Sequence, residues 1–385
     1  MYIQMSKPSI IIAGDCCLRG RTANLEAAQL APLFEDVKPI IQSADAALVN
    51  LETAVIASDI NPIKKAGPAL KTDTRILDMI REVGFTGVTL ANNHFADYGQ
   101  QGVEESLRFL DECKLWHVGA GMNAEEASEI GYLQAGDKKI AVINACEHEF
   151  TVATDTKAGC NALDPLKIAM QISKAKKAAD YVLVIIHGGH EHYNLPAPRM
   201  QEMYRAFVDF GADAVVNHHQ HCYSGYELYK GKPIVYGLGN FFFDWPGMNA
   251  DWNEGYMVRL SLGKKIELEL IPYIQNAEEV GVRLMNDDEK KVFDKRIEDM
   301  NAIISDTKQL QSHLIEWAKS KRNEYMQFLY PKKGKRIRQM ERLHLISERN
   351  EDLWIPEYMT EERRLLFKSL FQCESHQEIM NLLLQ

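Results

Sequence analysis

Short runs of apolar, β-branched residues alternate with amphipathic stretches along the first 275 residues. Six of these runs predict buried strands, at 10–13, 46–49, 87–90, 140–143, 181–186 and 214–216. The stretches between them repeat apolar residues every three or four positions, which predicts helices at 73–83, 102–114, 166–179 and 199–210. This alternation is typical of an α/β protein. Later runs at 234–236, 256–260 and 266–270 include period-two alternation, which predicts antiparallel strands and therefore a mixed sheet.

The pattern changes after residue 275. Strand signals stop, and the sequence becomes helical and charged, most clearly at 287–315 and 361–384. We therefore predict a first domain of residues 1–275 and a helical C-terminal extension or cap of residues 276–385. Residues 316–349 hold ten Lys or Arg against four Glu, with the basic residues clustered at 332–338. Such a run either meets phosphate-bearing polymers or membrane surfaces, or forms a solvated helix face.

Composition and charge narrow the possible functions. The 385 residues are 46% hydrophobic and 25% charged, as in an ordinary globular protein. A net charge of -10 argues against general nucleic-acid binding, since nucleic-acid binders usually present a basic face. No run approaches the roughly 20 apolar residues of a membrane helix, and no signal-peptide pattern opens the sequence. With seven cysteines and no CxxC spacing, a reducing compartment fits, so we expect a cytoplasmic protein.

Polar residues gather where the predicted strands end. Ligands of open α/β sheets bind beyond the carboxyl ends of the strands, so these residues are candidates for one shared site. Each motif alone has a plainer explanation, such as a turn, a helix cap or a structural histidine, but the five together predict a metal site. Oxygen and imidazole ligands suit Zn, Mn, Fe or Mg. The five motifs are Gly14-Asp15, Asn50-Leu51-Glu52, Asn92-Asn93-His94, His187-Gly188-Gly189-His190-Glu191 and Asn217-His218-His219-Gln220-His221.

Together with Gly239-Asn240-Phe241, these motifs resemble those of the CapA (poly-γ-glutamate capsule synthesis) family, a branch of the calcineurin-like metallophosphoesterases. The resemblance covers roughly residues 8–260. It implies an α/β (α+β) fold, namely a four-layer αββα sandwich with two sheets between helices and a dinuclear metal site at its edge. Two divalent metal ions, drawn from Mn, Fe, Zn or Mg, are the implied cofactors.

The resemblance also implies a role for each candidate ligand. His94 would lie near the scissile phosphate as an acid or charge stabiliser, without binding metal itself. His219 and His221 form an H-x-H pair, whose side chains would point to one side of an extended segment. The implied metal ligands are Asp15 and His221 on the first metal, Glu52 bridging both, and Asn93, His187 and His219 on the second.

Further residues are expected around the metals. Arg19 and Arg21 only approximate the arginine that follows Gly-Asp in the family, so each faces either a substrate anion or solvent. Glu191 either orients a ligand histidine by accepting a hydrogen bond or serves packing. Asn240 is expected near the site in a loop at 237–244. Trp245 and Trp252 either stack on a substrate ring or close the pocket.

Two departures from the family pattern concern the metal ligands. Asp15-Cys16-Cys17 stands where the wider superfamily often has D-x-H, so the first metal either lacks that ligand or uses the Cys17 thiolate. Asn217 and Gln220 stand at the Gly and Pro places of the usual Gly-x-His-Pro-His motif. The loop is therefore expected to differ, although both ligand histidines remain.

Two functions follow from these residues and this resemblance. The first is a metal-dependent hydrolase of phosphoesterase type, with a metal-bound hydroxide as nucleophile and a phosphorylated small molecule or anionic polymer as partner. The alternative is a non-catalytic or weakly catalytic accessory factor in capsule, poly-γ-glutamate or other envelope polymer biosynthesis. Catalysis requires His94, whereas an accessory role tolerates its loss. A third reading, an interaction module that uses the C-terminal helices, has a hint in the three leucines at 382–384. The oligomeric state is open.

Overall fold

The computed structural model describes residues 7–329 and 361–384. The basic cluster at 332–338 lies outside these residues. The strands are β1 (Ser9–Cys17), β2 (Ala46–Leu51), β3 (Ala54–Val55), β4 (Lys71–Thr72), β5 (Gly87–Thr89), β6 (Trp116–Val118), β7 (Ala120–Gly121), β8 (Gly131–Ala135), β9 (Lys138–Cys146), β10 (Gly159–Cys160), β11 (Tyr181–His187), β12 (Ala214–His218), β13 (Tyr226–Tyr229), β14 (Lys232–Val235), β15 (Asn240–Phe243), β16 (Glu254–Ser261), β17 (Glu267–Gln275) and β18 (Val282–Leu284).

The helices confirm the four that apolar spacing predicts within the first 275 residues, which correspond to α3, α4, α6 and α7. In chain order the α-helices are α1 (Ala27–Leu30), α2 (Lys38–Gln42), α3 (Arg75–Val83), α4 (Gly99–Glu112), α5 (Ala124–Ala127), α6 (Pro165–Ala175), α7 (Pro198–Phe210), α8 (Ala250–Asn253), α9 (Asp287–Ser305) and α10 (Thr307–Leu329), followed by Glu361–Gln372 and Glu374–Leu383. Within the described ranges, no helix is both long enough and apolar enough to cross a membrane.

Two mixed sheets form the centre of the molecule: the sequence pattern predicts a mixed sheet, and the family resemblance implies that there are two. The first has the order β18-β17-β16-β1-β2-β5-β6, and the second has the order β13-β14-β12-β11-β9-β8. Each sheet contains a run of four adjacent parallel strands, namely β1, β2, β5 and β6 at one end of the first sheet and β9, β11, β12 and β14 in the middle of the second. Antiparallel strands adjoin β1 in the first sheet and lie on both sides of the parallel run in the second. The parallel strands of each sheet therefore all end at the same edge.

Helices cover the outer faces of both sheets. Ile80 of α3 and Val103 of α4 belong to the same buried cluster as Ile11 of β1 and Val49 of β2. Helices α6 and α7 lie against β9, β12 and β14 of the second sheet, and the two sheets contact each other through β2 with β8 and β6 with β9. Strands β1 and β2 are buried along their whole length. This arrangement confirms the predicted four-layer αββα sandwich.

A buried asparagine joins the two sheets near the edge where the parallel strands end. Asn144 of β9 accepts hydrogen bonds at Oδ1 from the backbone N–H groups of Leu90 (3.1 Å) and Ala91 (2.8 Å), which follow β5. Its Nδ2 donates to the carbonyl of Ile185 on β11 (3.0 Å). The backbone N–H of Leu90 also donates to the carbonyl of Val118 (2.9 Å), but an apolar residue in place of Asn144 would remove the acceptor for the buried N–H of Ala91, at a cost of about 1–3 kcal/mol. Asn144 therefore fixes the segment that leads into the motif at 92–94.

The segment after Gly239 is a strand, so the prediction of a loop at 237–244 was wrong for residues 240–243. Strand β15 pairs in parallel with β1, and Asn240 lies opposite Asp15. The three phenylalanines at 241–243 are buried, and aromatic residues favour a pleated, buried surface. The side chains that appeared to be core aromatics after a turn thus build an additional strand, and this strand places Asn240 beside the first motif.

By its contacts, the described chain divides into two compact units. One consists of residues 7–63 and 69–311, and the other of residues 64–68, 312–329 and 361–384. Strand β18 and helix α9 belong to the first unit, which therefore extends past residue 275, the boundary that the sequence pattern predicts. In the second unit, the hydroxyl of Tyr325 lies 2.8 Å from Nδ1 of His376. A capping role for the C-terminal helices stays a prediction.

Candidate metal centre

The carboxyl ends of the parallel strands bring the candidate ligands to one edge of the sandwich. Asp15 lies near the end of β1, and Glu52 directly follows β2, as His187 ends β11. These three side chains are buried, with at most 2% of their surface exposed. His219 and His221, which follow β12, are buried as well, and Asn93 is half-buried. The structure thus brings together all six predicted metal ligands.

One group of ligand atoms surrounds Nε2 of His187. Oδ1 of Asn93 and Nδ1 of His219 each lie 3.0 Å from this nitrogen. Oε1 of Glu52 lies 3.5 Å from it. Two imidazole nitrogens, an amide oxygen and a carboxylate oxygen therefore converge on one small volume. This is the mixed nitrogen and oxygen donor set that borderline divalent cations prefer.

A second group contains Asp15, Glu52 and His221, whose ligand atoms all lie within 4.8 Å of one another. Nδ1 of His221 lies 3.6 Å from Oδ2 of Asp15, and Nε2 of the same ring lies 3.7 Å from Oε1 of Glu52. Glu52 also belongs to a group of the same kind with His187 and His219. One buried carboxylate is therefore common to both groups.

Asn240 sets the orientation of the His221 ring. Its Nδ2 donates to the carbonyls of Trp252 (3.1 Å) and His221 (3.3 Å), so its Oδ1 is the acceptor that faces Nδ1 of His221 at 2.9 Å. A histidine that donates from Nδ1 presents a lone pair at Nε2, unless the ring is doubly protonated. Here that lone pair faces the carboxylate of Glu52. The two repel each other unless a cation lies between them, so the residues present fit a bound metal ion.

The protonation states of the buried groups suit metal binding. Burial alone would raise the pKa of Asp15, but the neighbouring His218 and His187 outweigh it and lower that pKa. For His187, burial and the adjacent His219 hold the pKa well below its ordinary value. Asp15 is therefore an anion and His187 a neutral imidazole. These are the forms in which carboxylates and histidines bind metals.

All six candidate ligands lie within a region of the chain that matches a known protein family. The family model "Bacterial capsule synthesis protein PGA_cap" matches residues 9–245, more than half of the chain.

The chain belongs to this family. It is 34% identical over 220 residues to "Capsule biosynthesis protein CapA" of Bacillus anthracis, over 55% of this chain and 54% of that protein. It is 34% identical over 215 residues to "PGA biosynthesis protein CapA" of Bacillus subtilis (strain 168), over 55% of this chain and 57% of that protein. The chain thus matches about half the length of these curated relatives. Among solved structures, a putative 5'-nucleotidase from Staphylococcus aureus in complex with alpha-ketoglutarate aligns with a TM-score of 0.47 at 17% identity, over 76% of this chain and 58% of that one.

The two histidines of the family's last motif do not lie on an extended segment, so that prediction was wrong. Strand β12 ends at His218, and the φ angles of His219 and His221 are +93° and +56°. Such angles are uncommon for residues with a side chain and concentrate at functional sites. The two rings reach Glu52 through this turn, each within a different ligand group. The strained backbone of this turn, and not the alternation of side chains along a strand, therefore directs the rings of His219 and His221 toward Glu52.

Supporting contacts around the ligands involve residues that the sequence motifs did not single out. Nδ2 of Asn50 donates to Oδ1 of Asp15 (2.8 Å) and lies 3.2 Å from Nδ1 of His187, so it links the two ligand groups. Nδ1 of His218 lies 3.4 Å from the Asp15 carboxylate. Asn50 stands two residues before Glu52 in the same motif. That position was the only signal in the sequence for its role.

The His94 ring is held by a carboxylate three residues further on. Oδ2 of Asp97 lies 2.7 Å from Nδ1 of His94 and also accepts the backbone N–H of Leu70 at 2.8 Å. Both partners are buried. The contact commits Nδ1 to Asp97, so Nε2 is the ring nitrogen that can serve a substrate. The spacing of three residues between His94 and Asp97 was readable in the sequence but was not recognised.

The two candidate arginines, Arg19 and Arg21, make different contacts in the structure. Arg21 forms an ion pair with Asp244 at 2.8 Å and donates to the carbonyls of Asn276 (2.5 Å), Ala277 (3.1 Å) and Glu278 (3.1 Å). Its guanidinium therefore holds the segment after β17, and the prediction that it faces a substrate finds no support.

The guanidinium of Arg19, in contrast, lies over Trp245, with its Cζ 3.8 Å from the ring centre. Trp245 packs against Trp252 with ring centres 5.6 Å apart, and Trp252 lies 4.6 Å from His221. Trp252 is 3% exposed and closes the wall of the site beside His221. One face of Trp245 is already covered by Arg19. For these two tryptophans the structure favours pocket closure over stacking on a substrate.

Neither Cys17 nor Glu191 joins a ligand group. Cys17 packs with Leu70, Phe243 and Trp252, and burial raises the pKa of its thiol to about 12, with the charge of Glu52 adding to the effect. Within the described part of the chain, no group of three or more candidate ligands includes it. The thiolate needed for ligation is therefore disfavoured.

Glu191 acts on the site through its charge. Although its side chain is exposed, it lies among many protein atoms, and this desolvation would raise its pKa. The neighbouring His219 and His221 outweigh the effect and lower its pKa to about 2. No hydrogen bond joins Glu191 to a histidine in the part of the chain that the structure describes. The orienting contact expected of Glu191 is made to His221 by Asn240 instead.

We predict that Gly14→Ala disrupts the metal centre. A Cβ at Gly14 would lie 1.9 Å from the carbonyl oxygen of Gly239, which accepts the backbone N–H of Asp15 at 3.3 Å. Relief of this clash separates β15 from β1 and moves Asp15 away from Asn240. We expect the free energy of unfolding to fall by about 1–3 kcal/mol, measured by urea denaturation, together with weaker Mn²⁺ binding in a calorimetric titration.

Gly263→Ala is the matched control. A Cβ at Gly263 meets no atom closer than 3.4 Å, which is an ordinary contact. If Gly14→Ala retains wild-type stability and wild-type Mn²⁺ affinity, the close approach of β15 to β1 does not position Asp15.

Proposed function

We propose that the chain is a metal-dependent phosphoester hydrolase that holds two divalent ions. The observation that carries this proposal is that Glu52 belongs to two ligand groups, one with Asp15 and His221 and one with His187 and His219. A carboxylate common to two donor sets has the position of a bridging ligand. Pairs of divalent ions held in this way are characteristic of phosphatases and nucleases.

The donor atoms narrow the choice of metal to Mn, Fe, Zn or Mg, because all are oxygens or imidazole nitrogens. When bound, two such ions act as Lewis acids on the phosphoryl oxygens and lower the pKa of a coordinated water. The protein contributes the buried carboxylates, the neutral imidazole of His187 and the fixed ring of His221. Asn93 adds an amide oxygen beside His187.

His94 is the proposed general acid or charge stabiliser. Asp97 holds Nδ1 of His94 at 2.7 Å, and this contact both orients the ring and favours a proton on it. His94 is close enough to Glu191 to influence the pKa of its carboxyl group, as are His219 and His221, which supports a place for His94 on the same side of the site as the ligand histidines. Its Nε2 edge would donate to the leaving oxygen of the ester.

Arg19 is the proposed contact for an anionic group of the substrate. Its guanidinium is oriented by Trp245, and no hydrogen bond from it to an acceptor occurs among residues 7–329 and 361–384. An arginine stacked on an aromatic ring keeps its in-plane N–H donors available for a carboxylate or phosphate. In Arg21 the same donors already form hydrogen bonds with Asp244 and with backbone carbonyls. This contrast supports Arg19 as the substrate contact.

A second candidate function is an accessory role in the synthesis of an anionic capsule polymer. The names of the two Bacillus relatives, a capsule biosynthesis protein and a PGA biosynthesis protein, favour it. In that case the metal centre and Arg19 would bind carboxylates of the polymer without hydrolysis. The two functions make different demands on His94, since binding of a polymer does not need a proton donor.

His94→Ala should lower the hydrolysis of aryl phosphate esters by about 10²–10⁴-fold, the usual contribution of a positioned acid or base. Elemental analysis should still find about two metal equivalents, because His94 is not a ligand. His117→Ala is the control, since this half-buried histidine on β6 contacts the carbonyl of Leu115 and belongs to neither ligand group.

The outcomes separate the two candidate functions. Two metal equivalents without hydrolysis by the wild-type protein would replace the hydrolase proposal by the accessory role. Full activity in His94→Ala would remove His94 from the mechanism. Absence of bound metal after Mn, Fe, Zn or Mg is supplied would contradict the two-metal site itself.

Arg19→Met should raise KM for an anionic ester roughly 10–100-fold and leave kcat nearly unchanged, because a hydrogen bond to a charged group contributes about 1.5–3 kcal/mol to binding. Metal content should not change. Arg108→Met is the control, because Arg108 is an exposed helical residue paired with Glu112 at 2.8 Å. An unchanged KM in Arg19→Met would exclude Arg19 from substrate binding.

A further inference from the structure

Helix α9 packs on the segment that directly follows the ligand His221. The ring of Phe293 lies 5.1 Å from that of Tyr223 and 5.6 Å from that of Tyr256. Further along the helix, Oδ1 of Asn301 accepts the backbone N–H of Tyr226 at 2.7 Å. The helix is thus fixed at two points along residues 223–226. These contacts explain why α9 belongs to the same compact unit as the metal centre.

Arg296 extends this contact to the turn that carries Trp252. Its Nη1 donates to Oε2 of Glu254 at 2.6 Å, and its Nη2 donates to Oδ1 of Asp251 at 2.7 Å. The guanidinium also lies 4.7 Å from the ring centre of Tyr223. Asp251 and Glu254 flank Trp252 on α8 and the start of β16. One side chain therefore links the helix, the segment after His221 and the turn beside it.

Trp252 in turn fixes His221 in two ways. Its ring packs 4.6 Å from the imidazole, and its carbonyl accepts Nδ2 of Asn240 at 3.1 Å. That second contact turns Oδ1 of Asn240 toward Nδ1 of His221, at 2.9 Å. A displacement of α8 would therefore weaken two contacts of the His221 ring, namely its packing against Trp252 and the contact of its Nδ1 with Asn240.

We infer that Arg296 is a positioning residue for the ligand His221, so that helix α9 is a part of the metal centre. The inference rests on the proposed function in one respect, namely that His221 binds metal. Arg296 acts through charge-assisted hydrogen bonds to Asp251 and Glu254, which are stronger than neutral ones. Residues that orient a metal ligand from behind typically change metal affinity 10–100-fold when they are replaced.

The test compares Arg296→Ala with the wild-type protein in two measurements on the full chain. In a calorimetric titration with Mn²⁺, we expect wild-type affinity at one site and a 10–100-fold weaker second site, the one built from Asp15, Glu52 and His221. In metal-free protein, hydrogen exchange followed by mass spectrometry should become faster at residues 249–256. Arg296→Lys should restore part of both effects, because it keeps the charge without the forked geometry.

Two further variants make the test specific. Arg283→Ala removes an ion pair of similar length, 2.7 Å, between β18 and Glu289 in the first turn of the same helix, and should change neither measurement. Asp251→Asn weakens the link from the partner side while Arg296 stays in place. Asp251→Asn should weaken Mn²⁺ binding at the second site and speed exchange at residues 249–256, each by less than Arg296→Ala does. If Arg296→Ala does not fold, the result for Asp251→Asn decides whether Arg296 positions His221.

Wild-type Mn²⁺ affinity at both sites, with unchanged exchange at residues 249–256 in Arg296→Ala, would overturn the inference. Failure of the premise that His221 binds metal looks different, because the wild-type protein itself would then bind fewer than two ions. The exchange measurement needs no metal, so in that case it alone decides. Faster exchange would support the positioning role, and unchanged exchange would overturn it.

Discussion

A carboxylate enclosed by imidazoles is the feature on which the rest of this structure depends. Glu52 is completely buried, and an ionised carboxylate in such a place costs several kcal/mol or more unless positive charge balances it. Nε2 of His187 and Nε2 of His221 lie 3.5 Å and 3.7 Å from one of its oxygens. Oδ1 of Asn240 lies 2.9 Å from Nδ1 of His221, so Nε2 of the same ring is the nitrogen that faces the carboxylate. Bound cations satisfy both groups at once.

The fold holds the Glu52 carboxylate and the surrounding candidate ligands close together. The ligands come from both sheets, and Asn144 joins the sheets by hydrogen bonds next to the ligand-bearing edge. Strand β15 lies against β1 and brings Asn240 opposite Asp15. Helix α9 closes the far side through Arg296 and the turn at Trp252.

The sequence predicts most of the parallel strands of both sheets and the candidate ligands that converge at their edge, and it fails where tertiary contacts decide. Central strands are buried on both faces, so they appear as continuous apolar runs, whereas the half-exposed edge strands β8 and β13 give no such signal. The ligands were recognisable because they follow the predicted strands. The turn that aims His219 and His221 depends on positive φ angles, which no periodic pattern encodes. Arg19 and Arg21 differ only in their distant partners, Trp245 for one and Asp244 for the other.

The most direct test of the central claim is anomalous X-ray diffraction from crystals of the full chain grown with Mn²⁺, with data collected on both sides of the manganese absorption edge. We predict two anomalous peaks about 3.5–4 Å apart, the usual separation in two-metal sites. One peak should lie beside Asp15 and His221 and the other beside His187 and His219, with Glu52 contacting both. A single peak, or peaks that Glu52 does not contact, would contradict the account.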